Sequence, residues 1–224
     1  MATKQTRAGA GLGAQGLARV ALLGIGLYVA VDIVLRFLRP QYSLVYNAES
    51  DYGRGPWFWV MDLNFLLRCA LSIALVAALY KTLRMSRQVR VGLGLLVVWA
   101  VGSGILAFFA DDVEGTPTHG SGTVHLAVAV VSFIAMAAGG LVISVKLRSA
   151  PAWRPAASGL LVVSVLGVVA FLIESRLTGH HAPDGLFERI FLGLELLWMG
   201  LAATFIVRRR PSPEVSASSV SAGT

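Results

Sequence analysis

Four histidines, His119, His125, His180 and His181, fall within a few residues of carboxylic acids in a chain where ionisable side chains are otherwise scarce. Asp111 and Asp112 precede the first two, and Asp184 follows the second two. Histidine within reach of a carboxylate is the pairing that general acid–base chemistry uses, because the ring exchanges a proton while the acid orients it or balances its charge. The same donor types suit zinc. The step from His119 to His125, however, would span about 9 Å on a helix. A metal would have to gather ligands across loops, and none is expected. Nothing in the sequence asks for a cofactor.

Two further groups carry candidate chemistry. The segment 39–56, RPQYSLVYNAESDYGRGP, holds Ser43, Ser50 and Asp51, and reads as a long surface loop built on Asx and glycine turns. Glu188 and Arg189 open the last apolar stretch. Arg189 could close over an anionic group with Asp51, Asp112 or His125 beside it. The plainer alternative is that Glu188 favours a helix N-terminus while Arg189 reaches for headgroups. Other polar residues lie inside apolar stretches: Asp32, Arg36, Asp62, Asn64, Arg68 and Glu195. A charge in hydrocarbon costs at least ~2.5–3.5 kcal/mol on insertion scales, so such groups turn inward and pair. Asp32 and Arg36, one helical turn apart, are expected to pair locally, and Arg68 to find Glu195 or Asp62. Such a network either fixes helix packing or forms the floor of a site, and the two roles are compatible.

Several apparent motifs fail. Asp111-Asp112-Val113-Glu114-Gly115 lacks the last acid of an aspartate-rich diphosphate motif. Gly120-Ser121-Gly122 lacks the outer glycines of a nucleophile elbow. The pairs Gly24/Gly26 and Gly102/Gly104 read as close helix packing.

The elements that must position these residues follow from composition. The 224 residues are 56% hydrophobic and only 14% charged, with a mean hydropathy of +0.72, whereas globular domains carry about 25% charged residues. A helix needs roughly 20 apolar residues to cross a bilayer, and six stretches qualify: 17–38, 57–80, 91–110, 123–145, 159–177 and 186–207. The first is too long for a signal-peptide core and lacks a cleavage site. The fold expected is an all-α six-helix membrane bundle over 17–208, flanked by a flexible segment 1–16 and a disordered tail 209–224.

Net charge is +7, and its distribution carries the meaning. Thirteen Lys and Arg fall in 1–19, 81–90, 146–154 and 208–210, accompanied by one acid, Glu214. The alternate loops and helix ends hold five arginines (Arg36, Arg39, Arg54, Arg176 and Arg189) against eight acids. By the positive-inside rule both termini are expected in the cytoplasm of a prokaryotic cell, with the acidic face outside. The basic excess is topological and suits membrane lipids. No nucleic-acid module accompanies it. The lone cysteine, Cys69, forms no internal disulfide.

In order and topology, RPQYS…SDYG before the second stretch, FFADD…GTVH between the third and fourth, and GLFERI at the sixth resemble the DUF998 family, polytopic membrane proteins of bacteria and archaea. The likeness covers 17–207. It implies a six-helix fold and marks Ser43, Ser50, Asp51, Asp112, His125, Glu188 and Arg189 as motif positions. Relatives carry Phe-Pro-x-Asp where this chain has Phe109-Ala110-Asp111-Asp112, so the proline is absent and Asp112 takes the place of the family's acid. The resemblance supplies no activity. Three functions remain open: a binding protein whose outer pocket takes a lipid headgroup or small ligand, an enzyme acting on a lipid or isoprenoid by acid–base chemistry, and an accessory bundle. The oligomeric state is not legible.

Overall fold

The computed structural model describes residues 12–112, 119–177 and 182–209. His180, His181, Glu114 and nearly all of the two terminal segments lie outside these ranges. Six helices form: α1 (Ala14–Leu38), α2 (Phe58–Thr82), α3 (Arg87–Leu106), α4 (Ser121–Leu147), α5 (Arg154–Glu174) and α6 (Asp184–Arg208). All six are long and apolar enough to cross a membrane, and no strand occurs among the described residues.

Boundaries differ from hydropathy where a cap decides them. The apolar stretch 91–110 places α3 about four residues too late. Ser86 accepts a hydrogen bond from the Val89 amide at 3.2 Å and so starts the helix among polar residues. A serine N-cap satisfies one of the four orphan amides of a helix end. Pro155 sits in the first turn of α5, where its missing amide costs nothing, so α5 also begins before 159. At the N-terminus, α1 begins at Ala14, three residues ahead of the apolar stretch. The Gln15 side-chain amide donates to the carbonyls of Val207 (3.2 Å) and Arg209 (2.6 Å), tying α1 to the end of α6.

Each helix packs on the next in sequence, and α6 returns to α1, closing the bundle. The interior holds Trp99, Phe133, Phe191 and Trp198, with Phe133 and Phe191 rings 5.0 Å apart. Several of its polar atoms are matched across helices. Trp99 donates to Ser72 at 3.1 Å, and Trp198 donates to Ser144, which in turn meets Ser164. The outside is inverted relative to a soluble protein: Leu23 and Phe108 are each 75% exposed and Phe37 is 78% exposed. Such a surface has hydrocarbon as its solvent, because a helix satisfies its own backbone and leaves only apolar side chains outside. The molecule is a multi-pass membrane protein.

The two ends of the bundle are chemically opposite. The acidic end gathers the 39–57 connection, residues 107–112 and 119–122, and the start of α6. The basic end gathers the N-terminus of α1, the α2–α3 and α4–α5 connections and the C-terminus of α6.

Candidate functional site

The 39–57 connection is not a solvated loop. Its centre forms a short 3₁₀ helix, Glu49–Gly53, all five residues of which are buried. Tyr52 is 1% exposed and packs with Leu35, Met61, Phe65 and Leu106, so the segment plugs the acidic end. Arg39, also buried, holds the plug's neck: it donates to the carbonyls of Arg54 and Pro56 and to the Tyr42 hydroxyl. Burial pushes the Tyr52 phenol above its ordinary range, while the Arg189 guanidinium opposes that shift.

Beneath the plug lies a cavity of about 350 Å³. Its polar wall is formed by Glu49, Ser50, Arg68, Asp111, His125, Glu174, Asp184 and Glu188. Its apolar wall includes Leu126 and Val130 of α4 and Phe171 of α5. Leu126 and Val130 are themselves exposed on the outside of the bundle (54% and 43%), so the chamber reaches the lipid-facing surface. Helices α4 and α5 are pinned together at Ser144–Ser164 (2.9 Å), towards the basic end, and the cavity occupies the space between their other halves.

Three motif positions meet in this chamber. The Ser50 hydroxyl donates to Asp111 Oδ2 at 2.9 Å, and His125 Nε2 stands 4.0 Å from that same oxygen. His125 Nδ1 lies 2.6 Å from the Phe109 carbonyl. A carbonyl can only accept, so Nδ1 carries a hydrogen, and Nε2 is the ring nitrogen turned towards the Asp111 carboxyl group. Glu188 accepts from the Glu49 amide at 2.8 Å.

The remaining motif positions do other work. Asp51 accepts from Asn47 at 2.9 Å and pairs with Arg54, stabilising the plug from within. Ser43 accepts from the amides of Val45 and Tyr46, a local turn. Asp112 accepts from the His119 amide at 2.7 Å and abuts Gly122, fixing the entry to α4. It is therefore Asp111 that faces the cavity, which without the family's proline could not be read from the sequence. Arg189 does not line the chamber. It donates to the carbonyls of Asn47, Gly185 and Leu44, strapping the plug to α6.

The intramembrane pairs also differ from expectation. Arg36 does not pair with Asp32, because it reaches the carbonyls of Pro40 and Tyr42 beyond the helix end. The charges that act most on Asp32 are Glu49 and Arg189. Arg68 pairs with neither Asp62 nor Glu195. Asp62 sits near Gly53 under the plug, and Glu195 points at Gly167 of α5. Instead the Arg68 guanidinium, 2% exposed, donates to Ser103 (3.1 Å) and the Tyr28 hydroxyl (3.1 Å), and Tyr28 donates to Glu49. It is enclosed by the faces of Trp99, Phe65 and Tyr28 at 4.8, 5.0 and 5.7 Å. Asn64 donates to the Tyr28 carbonyl at 3.4 Å. Sequence reasoning missed Tyr28 and Glu49. Nothing marks a tyrosine in an apolar helix as a relay, and Glu49 was one acid among eight.

No three His, Cys, Asp or Glu side chains gather to hold a metal ion among the described residues. Nor do Ser50, Asp111 and His125 stand in the order of a nucleophilic triad, because the carboxyl group lies between serine and histidine and the imidazole does not reach the hydroxyl.

Fold and cavity define a polytopic integral membrane protein with a polar chamber at one end. The chain belongs to the DUF998 family, described as proteins of unknown function, whose sequence profile matches residues 22–204. No curated protein and no solved structure gives a significant match.

Proposed function

We propose that this chain binds an amphipathic molecule, a lipid or lipid-like ligand, whose polar head enters the acidic-end cavity from the side while its tail lies against α4 and α5. One observation carries the reading: a single chamber joins lipid-exposed Leu126 and Val130 to buried His125 and Glu188. The chemistry of the wall selects the head. Five carboxylic residues face one guanidinium, and that guanidinium is already engaged by Tyr28 and Ser103. What the chamber offers is acceptors: carboxylate oxygens and the His125 Nε2. The matching head bears N–H or O–H donors and no net negative charge, as an amine or a polyol does. An anion held by Arg189 does not fit this chamber, because that side chain does not line it and its Nη1 straps the plug to α6.

Native mass spectrometry of the full chain from nanodiscs tests this. Phosphatidylethanolamine, whose ammonium donates, is expected to be retained about tenfold over phosphatidylcholine, which has the same charge and no donor, since one charge-assisted hydrogen bond is worth about 1.5–3 kcal/mol. His125→Phe, correctly folded, is expected to lower that preference, the carboxylic residues of the wall retaining part of it. Equal retention of the two lipids by the unaltered chain sinks the proposal.

Acid–base catalysis on such a lipid is a second reading, favoured by the placement of His125 Nε2 on the Asp111 side of the cavity. Chemical change in the retained lipid would distinguish it from binding alone. The orientation we propose puts the acidic end outside the cell and both termini in the cytoplasm, on the charge distribution of the loops.

A further inference from the structure

At the opposite end of the bundle a second cavity, of about 460 Å³, opens between the α2–α3 turn, the α4–α5 connection and the last residues of α6. Arg84, Lys146 and Arg209 line it, and among the described residues no carboxylic side chain does. None of the three is in an ion pair among the described residues. The guanidinium of Arg209 lies over the Trp153 and Phe205 rings at 5.6 and 5.9 Å, so it is positioned without being neutralised.

A second observation is independent of charge. Trp153, only 2% exposed, also lines this cavity, and its indole N–H has no hydrogen-bond acceptor. Buried N–H groups are almost always satisfied, so one left over at a cavity wall points to an acceptor that comes from outside the chain. The amino-terminal turn of α3, at Ser86 and Val89, forms another part of the wall. Its dipole adds partial positive charge at the same place. Apolar Leu83, Met85 and Leu147 complete the lining. Cations, a spare donor and a helix amino end converge, and no carboxylate among the described residues opposes them.

We propose that this cavity is a binding site for a phosphate group carrying net negative charge, presented either by an anionic lipid head or by free phosphate. The site is separate from the acidic chamber and stands or falls without it. Arg84 and Lys146 supply charge-assisted hydrogen bonds to the phosphate oxygens, and Trp153 supplies a neutral one.

The test uses the full chain in a neutral detergent, with phosphatidylglycerol, phosphatidylcholine and inorganic phosphate as probes and native mass spectrometry as readout. Phosphatidylglycerol is expected to be retained over phosphatidylcholine. Arg84→Gln with Lys146→Gln is expected to lower that retention about tenfold, the loss of a charge-assisted hydrogen bond. Arg90→Gln with Arg148→Gln removes equal charge from exposed positions outside the cavity and is expected to change it less than about twofold, as surface charges do. Trp153→Phe keeps an aromatic ring but removes the N–H together with part of the indole, and is expected to weaken retention in its own right while the thermal midpoint reports the packing loss separately, so the site is probed even if the double variant folds poorly. Displacement of the lipid by millimolar inorganic phosphate identifies free phosphate as the occupant, and resistance to it identifies the lipid head. Equal loss in the two double variants, or equal retention of the two lipids, reduces the cavity to a diffuse basic surface and overturns the proposal.

Discussion

Arg68 shows how a single charge is kept inside the bundle without a facing carboxylate. Its guanidinium donates to Tyr28, and Tyr28 passes the connection on to Glu49 of the plug, so positive and negative groups are coupled through a phenol. Aromatic faces on three sides replace part of the lost hydration. Tyr28 is therefore the weakest place to cut. Tyr28→Phe keeps the ring and removes the hydroxyl, leaving both a buried guanidinium N–H and a buried carboxylate oxygen without their partner. Each orphaned charged group costs about 1–3 kcal/mol or more, so the thermal midpoint in detergent is expected to fall by several degrees. Leu23→Val on the lipid face serves as the control and is expected to leave it unchanged. An unaltered midpoint in Tyr28→Phe would show that the relay bears no load. Of this relay only Arg68 was legible in the sequence, because a charge in an apolar stretch announces itself. A tyrosine there looks like any packed aromatic. The choice between Asp111 and Asp112 was hidden for a different reason: adjacent residues on a non-helical stretch point to different sides, and only the backbone path decides which one meets His125.

At the level of elements, the glycine pairs separate packing from mere composition. All four positions, Gly24, Gly26, Gly102 and Gly104, looked alike in the sequence. In the bundle, a Cβ built on Gly24 would stand 2.6 Å from the Leu71 Cβ, and one on Gly104 3.2 Å from the Cys69 sulfur, while Gly102 faces Ser132. Gly26 has nothing within 4 Å. Gly24→Ala is expected to push α1 from α2 and destabilise by about 1–3 kcal/mol, the ordinary cost of overpacking. Gly26→Ala is expected to be neutral or to stabilise by about 0.5–1 kcal/mol, since alanine is the better helix former. The two variants differ by one methyl group, two residues apart, and comparing their unfolding midpoints checks the interface directly. Equal effects would mean that α1 does not pack on α2 in this register. The same contrast explains what hydropathy could and could not supply. It found six helices because a hydrocarbon solvent demands long apolar runs. It misplaced α3 because a serine cap, not an apolar residue, starts that helix. It mistook the 39–57 connection for surface because turn residues do not reveal that a short 3₁₀ helix folds back into the bundle.

For the whole molecule, orientation decides which leaflet and which compartment each cavity serves. Because the helices pack consecutively and close into a ring, the described parts of the basic connections fall at one end and those of the acidic ones at the other. That segregation is steep: thirteen Lys and Arg with one acid against five Arg with eight acids. Each arginine or lysine must otherwise be carried across the bilayer during insertion, so the basic end is expected to remain inside the cell. The check requires a chain with no native thiol, obtained by Cys69→Ser, into which Ser121→Cys or Ser149→Cys is introduced. Both serines are exposed, the first at the acidic end and the second at the basic end. A membrane-impermeant maleimide applied to intact cells is expected to label the Ser121→Cys chain alone, and to label both chains after lysis. The opposite pattern would invert the molecule. The acidic chamber would then meet the inner leaflet, and the cavity lined by Arg84, Lys146 and Arg209 would open to the outside, where the lipids and free phosphate available to it are different. The labelling result therefore selects which leaflet's lipids are worth offering to either cavity, and it does so independently of whether any ligand has been identified.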